Sequence, residues 1–180
     1  MIAGTAKGRK LEPVPGDTTR PITDRAKEAL FSILQADVVD ARVLDLFAGT
    51  GSVGIEALSR GAAFCQFVER DARAVATIRL NLEKTGLAGR AMVTASDVFT
   101  VLKYEPQAPF DVVYVAPPQY QGLWSAAIRA LDSTGLWMQP GAIVVAQIHP
   151  REFEELALTR LSPFDQRRYG SVMLLFYEAE

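Results

Sequence analysis

Two stretches carry residue types whose spacing could do chemistry. In DLFAGTGSVG, Gly49, Gly51 and Gly54 stand in the G-x-G-x-x-G spacing, after an apolar strand-like run and before a helix-like one. Glycines at such a turn let the chain reverse tightly and let backbone approach a ligand with no Cβ in the way. Asp45 precedes the glycines, and Glu69 ends the next apolar run, where a carboxylate can accept the hydrogens of two ribose hydroxyls. The combination points to an adenosine-type cofactor, without separating a dinucleotide from S-adenosylmethionine. A helix-packing turn with no ligand is the plainer alternative.

The second stretch is VYVAPPQY, residues 113–120. A β-branched and aromatic run meets Ala116, Pro117 and Pro118, then Gln119 and Tyr120. Two prolines lack amide hydrogens and fix φ, so the chain holds a rigid corner there. Three features favour S-adenosylmethionine. Asp45 can orient the glycine loop or meet the methionine amino group. Asp97, at the end of a third apolar run, is placed for an adenine amino group. The diproline corner falls beside the position of a sulfonium. A nicotinamide enzyme has no evident need for that corner, and a second domain for its substrate is missing. Each acid also has a simpler role, since Glu69, Asp71 and Asp97 can all cap the helix that follows.

The elements that must position these residues follow from periodicity. From residue 42 the pattern alternates strand, turn and helix: RVLDLFA, SVGIEALSRGA closed by Gly61, AFCQFVE, then DARAVATIRLNLEKTG, capped by Asp71 and ended by Gly86. RAMVTAS, the short helix DVFTVLK, FDVVYVA, GLWSAAIRALDSTG and GAIVVAQI continue it, followed by a short helical piece in PREFEELAL. The tail LSPFDQRRYGSVMLLFYEAE predicts two strands with a turn at Tyr169 and Gly170. Such alternation implies an α/β fold, a mostly parallel sheet with helices on both faces and an antiparallel C-terminal edge. Residues 1–22 form an arm or short hairpin on a domain of residues 23–180, and TDRAKEALFSIL is that domain's first helix, capped by Thr23 or Asp24. Ligands in such sheets bind outside the strands' carboxyl ends, which selects the loops at 46–52, 69–71, 96–98 and 116–120. With Asp45, they supply the candidate cofactor set: Phe47, Gly49, Thr50, Gly51, Glu69, Arg70, Asp97, Val98 and Ala116.

Composition narrows the function classes. A chain of 180 residues with 49% hydrophobic and 22% charged residues suits one globular domain with one core. The net charge of -2 gives no bulk attraction to nucleic acid, so RNA contacts must be local. Lys7, Arg9 and Lys10 on the Gly-rich arm, with Arg20 and Arg25, are the candidates for phosphate contacts, and a solvated charged arm is the alternative. Arg167, Arg168 and Tyr169 offer a weaker second edge. His149 is the single histidine and Cys65 the single cysteine, which argues against a metal centre, a Ser-His-Asp triad or an internal disulfide. No signal peptide and no membrane-length apolar run is present, so the expectation is a cytoplasmic monomer with no membrane association.

RVLDLFAGTGSVGIEALSRGA, FVERDARAVATIRLNLEK, SDVF and FDVVYVAPPQYQG resemble the class I, Rossmann-like methyltransferases that act on guanine N2 of small-subunit ribosomal RNA. The N-terminal RPITDR and KEALF segments and the C-terminal RRYGSVMLLFYE are similar to that family too, so the resemblance covers nearly the whole chain. It implies S-adenosylmethionine as cofactor, with no metal, and S-adenosylhomocysteine as product. It implies 16S rRNA, in the small subunit or its assembly intermediate, as partner, and guanine 966 in rRNA numbering as target. By the same resemblance, Ala116, Pro117, Pro118, Gln119 and Tyr120 form the catalytic corner. The Pro117 carbonyl accepts an amine hydrogen, and Tyr120 stacks on the base unless it packs on Trp124 instead. The family pattern is Asp-Pro-Pro followed by Tyr or Phe. Here the acid is replaced by Ala116, and the aromatic comes one place later. Three outcomes are open. Gln119 can fill the vacancy with its amide oxygen; main-chain carbonyls and alignment can suffice; or the chain binds cofactor and RNA without methylating. A nucleotide-dependent oxidoreductase is the competing enzyme class.

Overall fold

The computed structural model describes residues 1–16 and 22–180. Seven strands form one sheet: β1 (Arg42–Leu46), β2 (Phe64–Glu69), β3 (Ala91–Ala95), β4 (Phe110–Val115), β5 (Met138–Ile148), β6 (Leu161–Tyr169) and β7 (Val172–Ala179). Their order is β3-β2-β1-β4-β5-β7-β6. The first five run parallel, while β7 is antiparallel to both β5 and β6. The strand order reverses between β1 and β4, and a crevice opens at the carboxyl ends of strands at such a point.

Alternation along each strand sorts the core into two layers. Val43, Phe67, Val112 and Val145 face α1 (Asp24–Leu34), α2 (Ser52–Ser59) and α3 (Ala72–Thr85). Leu44, Leu46, Val113, Val115 and Val144 face α4 (Val98–Val101) and α5 (Leu123–Thr134). The helices begin and end on the expected residues. The Thr23 hydroxyl accepts the Ala26 N–H, Asp71 caps α3 through the N–H groups of Arg73 and Ala74, and Gly86 ends α3 at φ 73°. No helix among the described residues is long and apolar enough to cross a membrane.

One segment differs from the expectation. The PREFEELAL helix reduces to one 3-10 turn, Pro150–Glu152. The chain beyond it is drawn out by Asp132 at the end of α5, whose carboxylate accepts the backbone N–H groups of Thr159, Arg160 and Leu161 at 2.7–3.1 Å. Those donors are held by a side chain instead of an i−4 carbonyl. Among its described residues the N-terminal segment makes turns, with the Gly8 N–H on the Met1 carbonyl at 2.9 Å and the Met1 amino group on the Arg9 carbonyl at 2.6 Å.

Buried polar groups tie the loops and the arm to this frame. The fully buried Glu56 of α2 accepts the N–H groups of Ile2 and Ala3 at 3.0 and 2.9 Å. It also meets Arg60 Nε at 2.9 Å and Lys27 Nζ at 3.9 Å. Asn81 of α3 accepts the Glu12 N–H at 2.7 Å and donates to the carbonyls of Glu12 and Thr50, joining the arm to the glycine loop. Asp45 of β1 is 1% exposed and accepts the Gly54 N–H at 3.0 Å. Burial pushes its pKa from 3.8 to about 8; the Gly54 hydrogen bond works against that shift, and the charge on Glu69 adds to it.

Removing one partner of a buried ionic cluster strands the others. Glu56→Ala is therefore expected to lower unfolding free energy by about 3 kcal/mol in urea titrations, with Glu56→Gln losing less. A loss near zero would contradict the anchoring role. The folded state keeps the Asp45 proton up to about pH 8, whereas the unfolded chain releases it near 3.8. The stability this group contributes is therefore full below 3.8 and is lost as pH rises toward 8. Asp45→Asn is expected to flatten that decline, read as the difference between the two proteins' urea midpoints across the window. Parallel curves would contradict it.

Candidate active site

Two adjoining cavities, of about 410 and 330 Å³, lie at the carboxyl ends of the parallel strands. They share Val14, Phe47, Gly49 and Ala116 and so make one crevice. The larger lobe is bounded by Glu69, Arg70, Asp97, Val98 and Phe99. The smaller is bounded by Asp45, Thr50, Ser52, Tyr114 and Gln147, with Pro13 and Ile22 from the N-terminal segment. Each lobe falls in the size range of small-molecule sites.

The glycine turn shapes the shared wall. Phe47 and Gly49 both adopt positive φ, 61° and 57°, and a Cβ on Gly49 would meet nothing within 4 Å, so bare backbone faces the opening. Gly51, at φ 77°, lines neither lobe but caps α2 and turns the chain into it. Gly54 serves packing: a Cβ there would meet Phe67 at 2.3 Å and Cys65 Sγ at 2.7 Å, so its absence lets α2 close on β2. Only Gly49 of the three offers backbone to a ligand.

The acids hold backbone N–H groups at the crevice edge. Glu69 Oε2 accepts the Gly49 N–H at 3.0 Å, and Oε1 accepts those of Arg70 and Asp71 at 2.8 and 2.9 Å. A carboxylate has about four acceptor sites, so one remains for a ligand hydroxyl. Asp97 Oδ1 caps α4 through Phe99 and Thr100, leaving Oδ2 at 4.0 Å from Arg70 Nη1 on the crevice wall. Phe47 and Phe99 meet edge to face at 6.3 Å and give that lobe an apolar side. Bare backbone, a partly free carboxylate and an apolar wall together fit an adenosine group.

The diproline corner closes the opposite side. Ala116 and Pro118 line the crevice, and Pro117 is half-buried between them. Gln119 is exposed and lines neither lobe. Tyr120 is 63% exposed at φ 60°. Its N–H donates to Glu152 Oε1 at 2.7 Å, and its ring leans on His149 with centroids 5.4 Å apart. The partner suggested by sequence, Trp124, is instead buried in the core under α5, because its place on that helix faces the sheet. Glu152 also accepts the His149 N–H at 3.1 Å, so the turn after β5 clamps the loop after β4.

Gln147, Asn81 and Glu152 escaped the sequence analysis, which used His149 only to argue against a metal centre or a triad. The rule that selected four strand ends applies equally to the end of β5, where Gln147 sits, and would have found it. Of the basic candidates, Lys7, Arg9 and Lys10 are exposed on the arm, with the Arg9 guanidinium donating to the Lys84 carbonyl. Arg25 is exposed and lies 5.8 Å over the Tyr169 ring. None of these four lines the crevice. Arg20 lies outside the described residues.

Comparison with known proteins accords with this geometry. The profile of the family described as conserved hypothetical protein 95 matches residues 1–178. Ribosomal RNA small subunit methyltransferase D of Escherichia coli K12 is 40% identical over 148 residues, covering 82% of this chain and 73% of that protein. The solved structure of yhhF from Escherichia coli superposes with a TM-score of 0.87 at 35% identity, covering 100% of this chain and 97% of that one. An RNA methyltransferase from Salinibacter ruber, solved with S-adenosyl-L-homocysteine, shares the fold at a TM-score of 0.68 and 17% identity, covering 89% and 94%. The chain belongs to the conserved hypothetical protein 95 family and is a relative of the small-subunit ribosomal RNA methyltransferase D proteins.

Proposed function

We propose that this protein methylates the exocyclic N2 of a guanine, position 966, in 16S rRNA, using S-adenosylmethionine. The observation that carries the proposal is the meeting of bare glycine backbone, the Glu69 carboxylate and the diproline corner at one crevice. The name of the Escherichia coli relative and the S-adenosyl-L-homocysteine bound by the Salinibacter protein support it. The cofactor, when bound, supplies a methyl group on a sulfonium that is already a good leaving group. Glu69 and the Gly49 backbone hold the ribose side, Phe47, Val98 and Phe99 flank the adenine, and Asp97 with Arg70 borders it. Thr50 and Ser52 border the amino-acid side, with Asp45 setting the loop from below.

The N2 lone pair of guanine is delocalised into the ring, so the amine is a weak nucleophile. The corner's task is alignment, together with acceptors for the amine hydrogens as positive charge grows on nitrogen. Prolines at 117 and 118 fix the backbone, so its carbonyl oxygens reach that position without reorganisation. Tyr120 gives a face for the base to stack on, and such a stack is worth about 1–3 kcal/mol. Lys7, Arg9, Lys10, Arg20 and Arg25 meet phosphates. The chain acts as a cytoplasmic monomer on the small subunit or its assembly intermediate.

Ala116 favours a second reading, in which cofactor and RNA bind and no methyl moves, because the corner lacks a side-chain acceptor of its own. Losing one such group typically costs about 3 kcal/mol, or on the order of 10²-fold in rate. That leaves an enzyme slow but measurable. Single-turnover incubation with methyl-labelled cofactor and unmodified small subunits separates the two. One labelled guanine N2 per 16S rRNA is expected. No label over hours, with cofactor shown to be bound, would contradict the proposal and leave the binding role.

A further inference from the structure

The proposed reaction needs an acceptor for an amine hydrogen, and Ala116 has none. The strand beside it does. Val115 of β4 pairs with Ala146 of β5, so Ala116 and Gln147 are the next residues on two adjacent parallel strands. Side chains two apart share a face. Tyr114 and Ala116 therefore point to the side that Val145 and Gln147 also take, as the pairing of Tyr114 with Val145 requires. Gln147 and Ala116 line the same lobe of the crevice, with Asp45 and Tyr114 at its base.

The Gln147 amide is held in place. The Tyr114 hydroxyl donates to its Oε1, and Tyr114 is itself 3% exposed and locked in the core. An amide oxygen has two lone pairs, so one stays open after that bond. Of the other polar side chains on this lobe, Asp45 is committed to the Gly54 N–H beneath the loop, Ser52 Oγ accepts from Lys27 Nζ at 3.1 Å, and Thr50 stands on the glycine loop across from the corner; Gln119 lies outside both lobes.

We infer that Gln147 is a catalytic residue, supplying from β5 the side-chain acceptor that Ala116 does not supply from β4, with Tyr114 as the positioning residue that fixes its amide. The inference rests on the methyl transfer proposed above. As the N2–carbon bond forms, the sulfur–carbon bond breaks and its electron pair stays on sulfur. The amide oxygen holds one N2 hydrogen in a hydrogen bond throughout and takes no proton. The proton that N2 sheds leaves to water.

A double-mutant cycle over Gln147→Ala and Ala116→Asp tests this, read as single-turnover transfer rate alongside S-adenosylhomocysteine affinity by calorimetry. In the natural background, Gln147→Ala is expected to slow transfer on the order of 10²-fold with the affinity unchanged. In the Ala116→Asp background, an acceptor is restored beside the amine, and the same substitution is expected to cost less than about 10-fold. Gln147→Met, which keeps the volume and drops the acceptor, should behave as Gln147→Ala does and covers a variant that fails to fold. Gln147→Glu, which keeps an acceptor, should retain more activity than either. Equal losses in both backgrounds, or no loss in the first, overturn the inference while the reaction stands. A natural chain that binds S-adenosylhomocysteine and transfers nothing overturns the reaction and the inference together.

Discussion

The hydrogen bond from the Gly49 N–H to Glu69 Oε2, 3.0 Å long, couples the turn after β1 to the end of β2. The Ala48 N–H on the Val68 carbonyl, at 3.1 Å, ties the same turn to β2 one step earlier. The same carboxylate gathers the N–H groups of Arg70 and Asp71, so one side chain holds three N–H groups in two loops. Asn81 repeats the device from behind, holding the Thr50 carbonyl and the arm at Glu12 with one amide. Asp45 completes it from below through Gly54. Each of these side chains satisfies backbone groups that a turn leaves unpaired, and unpaired polar groups are costly to bury. The loops of the crevice are therefore braced by polar side chains, the buried Asp45 and Asn81 and the half-buried Glu69.

The corner extends the same logic to catalysis. The rings of Pro117 and Pro118 lock φ at both positions, and Glu152 then clamps the loop through the Tyr120 N–H. In the proposed reaction, acceptors for the substrate amine would come from main chain and from the next strand, which frees the site from one acid at one position. A sheet with side chains of neighbouring strands in register makes such a transfer of duty possible, because residues 116 and 147 share a face and a cavity.

Most of the fold was legible because its signals are local. Asp71 and Gly86 bracket α3 in sequence as they do in space, and the near-continuous apolar runs in RVLDL and FDVVYV mark central strands covered on both faces. The failures are long-range. Asp132 lies 27 residues before the Thr159 N–H it captures, and nothing in PREFEELAL announces that the chain just after it will be held by a distant carboxylate. Tyr120 and His149 are brought together by strand order, not by helical spacing. Glu69, Asp97 and the diproline corner were found as site residues because a strand-end rule points to them. Gln147 obeys the same rule, but a polar residue between Ala146 and Ile148 carries no motif of its own. Gly54 belongs to the glycine spacing but not to the candidate cofactor set, and its part is packing, because a Cβ there would meet Phe67.

The central claim is that this crevice holds a sulfonium cofactor and not a dinucleotide. A ligand that binds only the native state raises the melting temperature, by about 2.7 kcal/mol of stabilisation at a hundredfold excess over Kd. For a domain of this size that is a shift of roughly 5–10 °C. Thermal melts of the full chain with S-adenosylhomocysteine and, separately, with NAD make the comparison. A shift of that order with S-adenosylhomocysteine and none with NAD is the predicted result; a shift with NAD alone, or with neither, would contradict it.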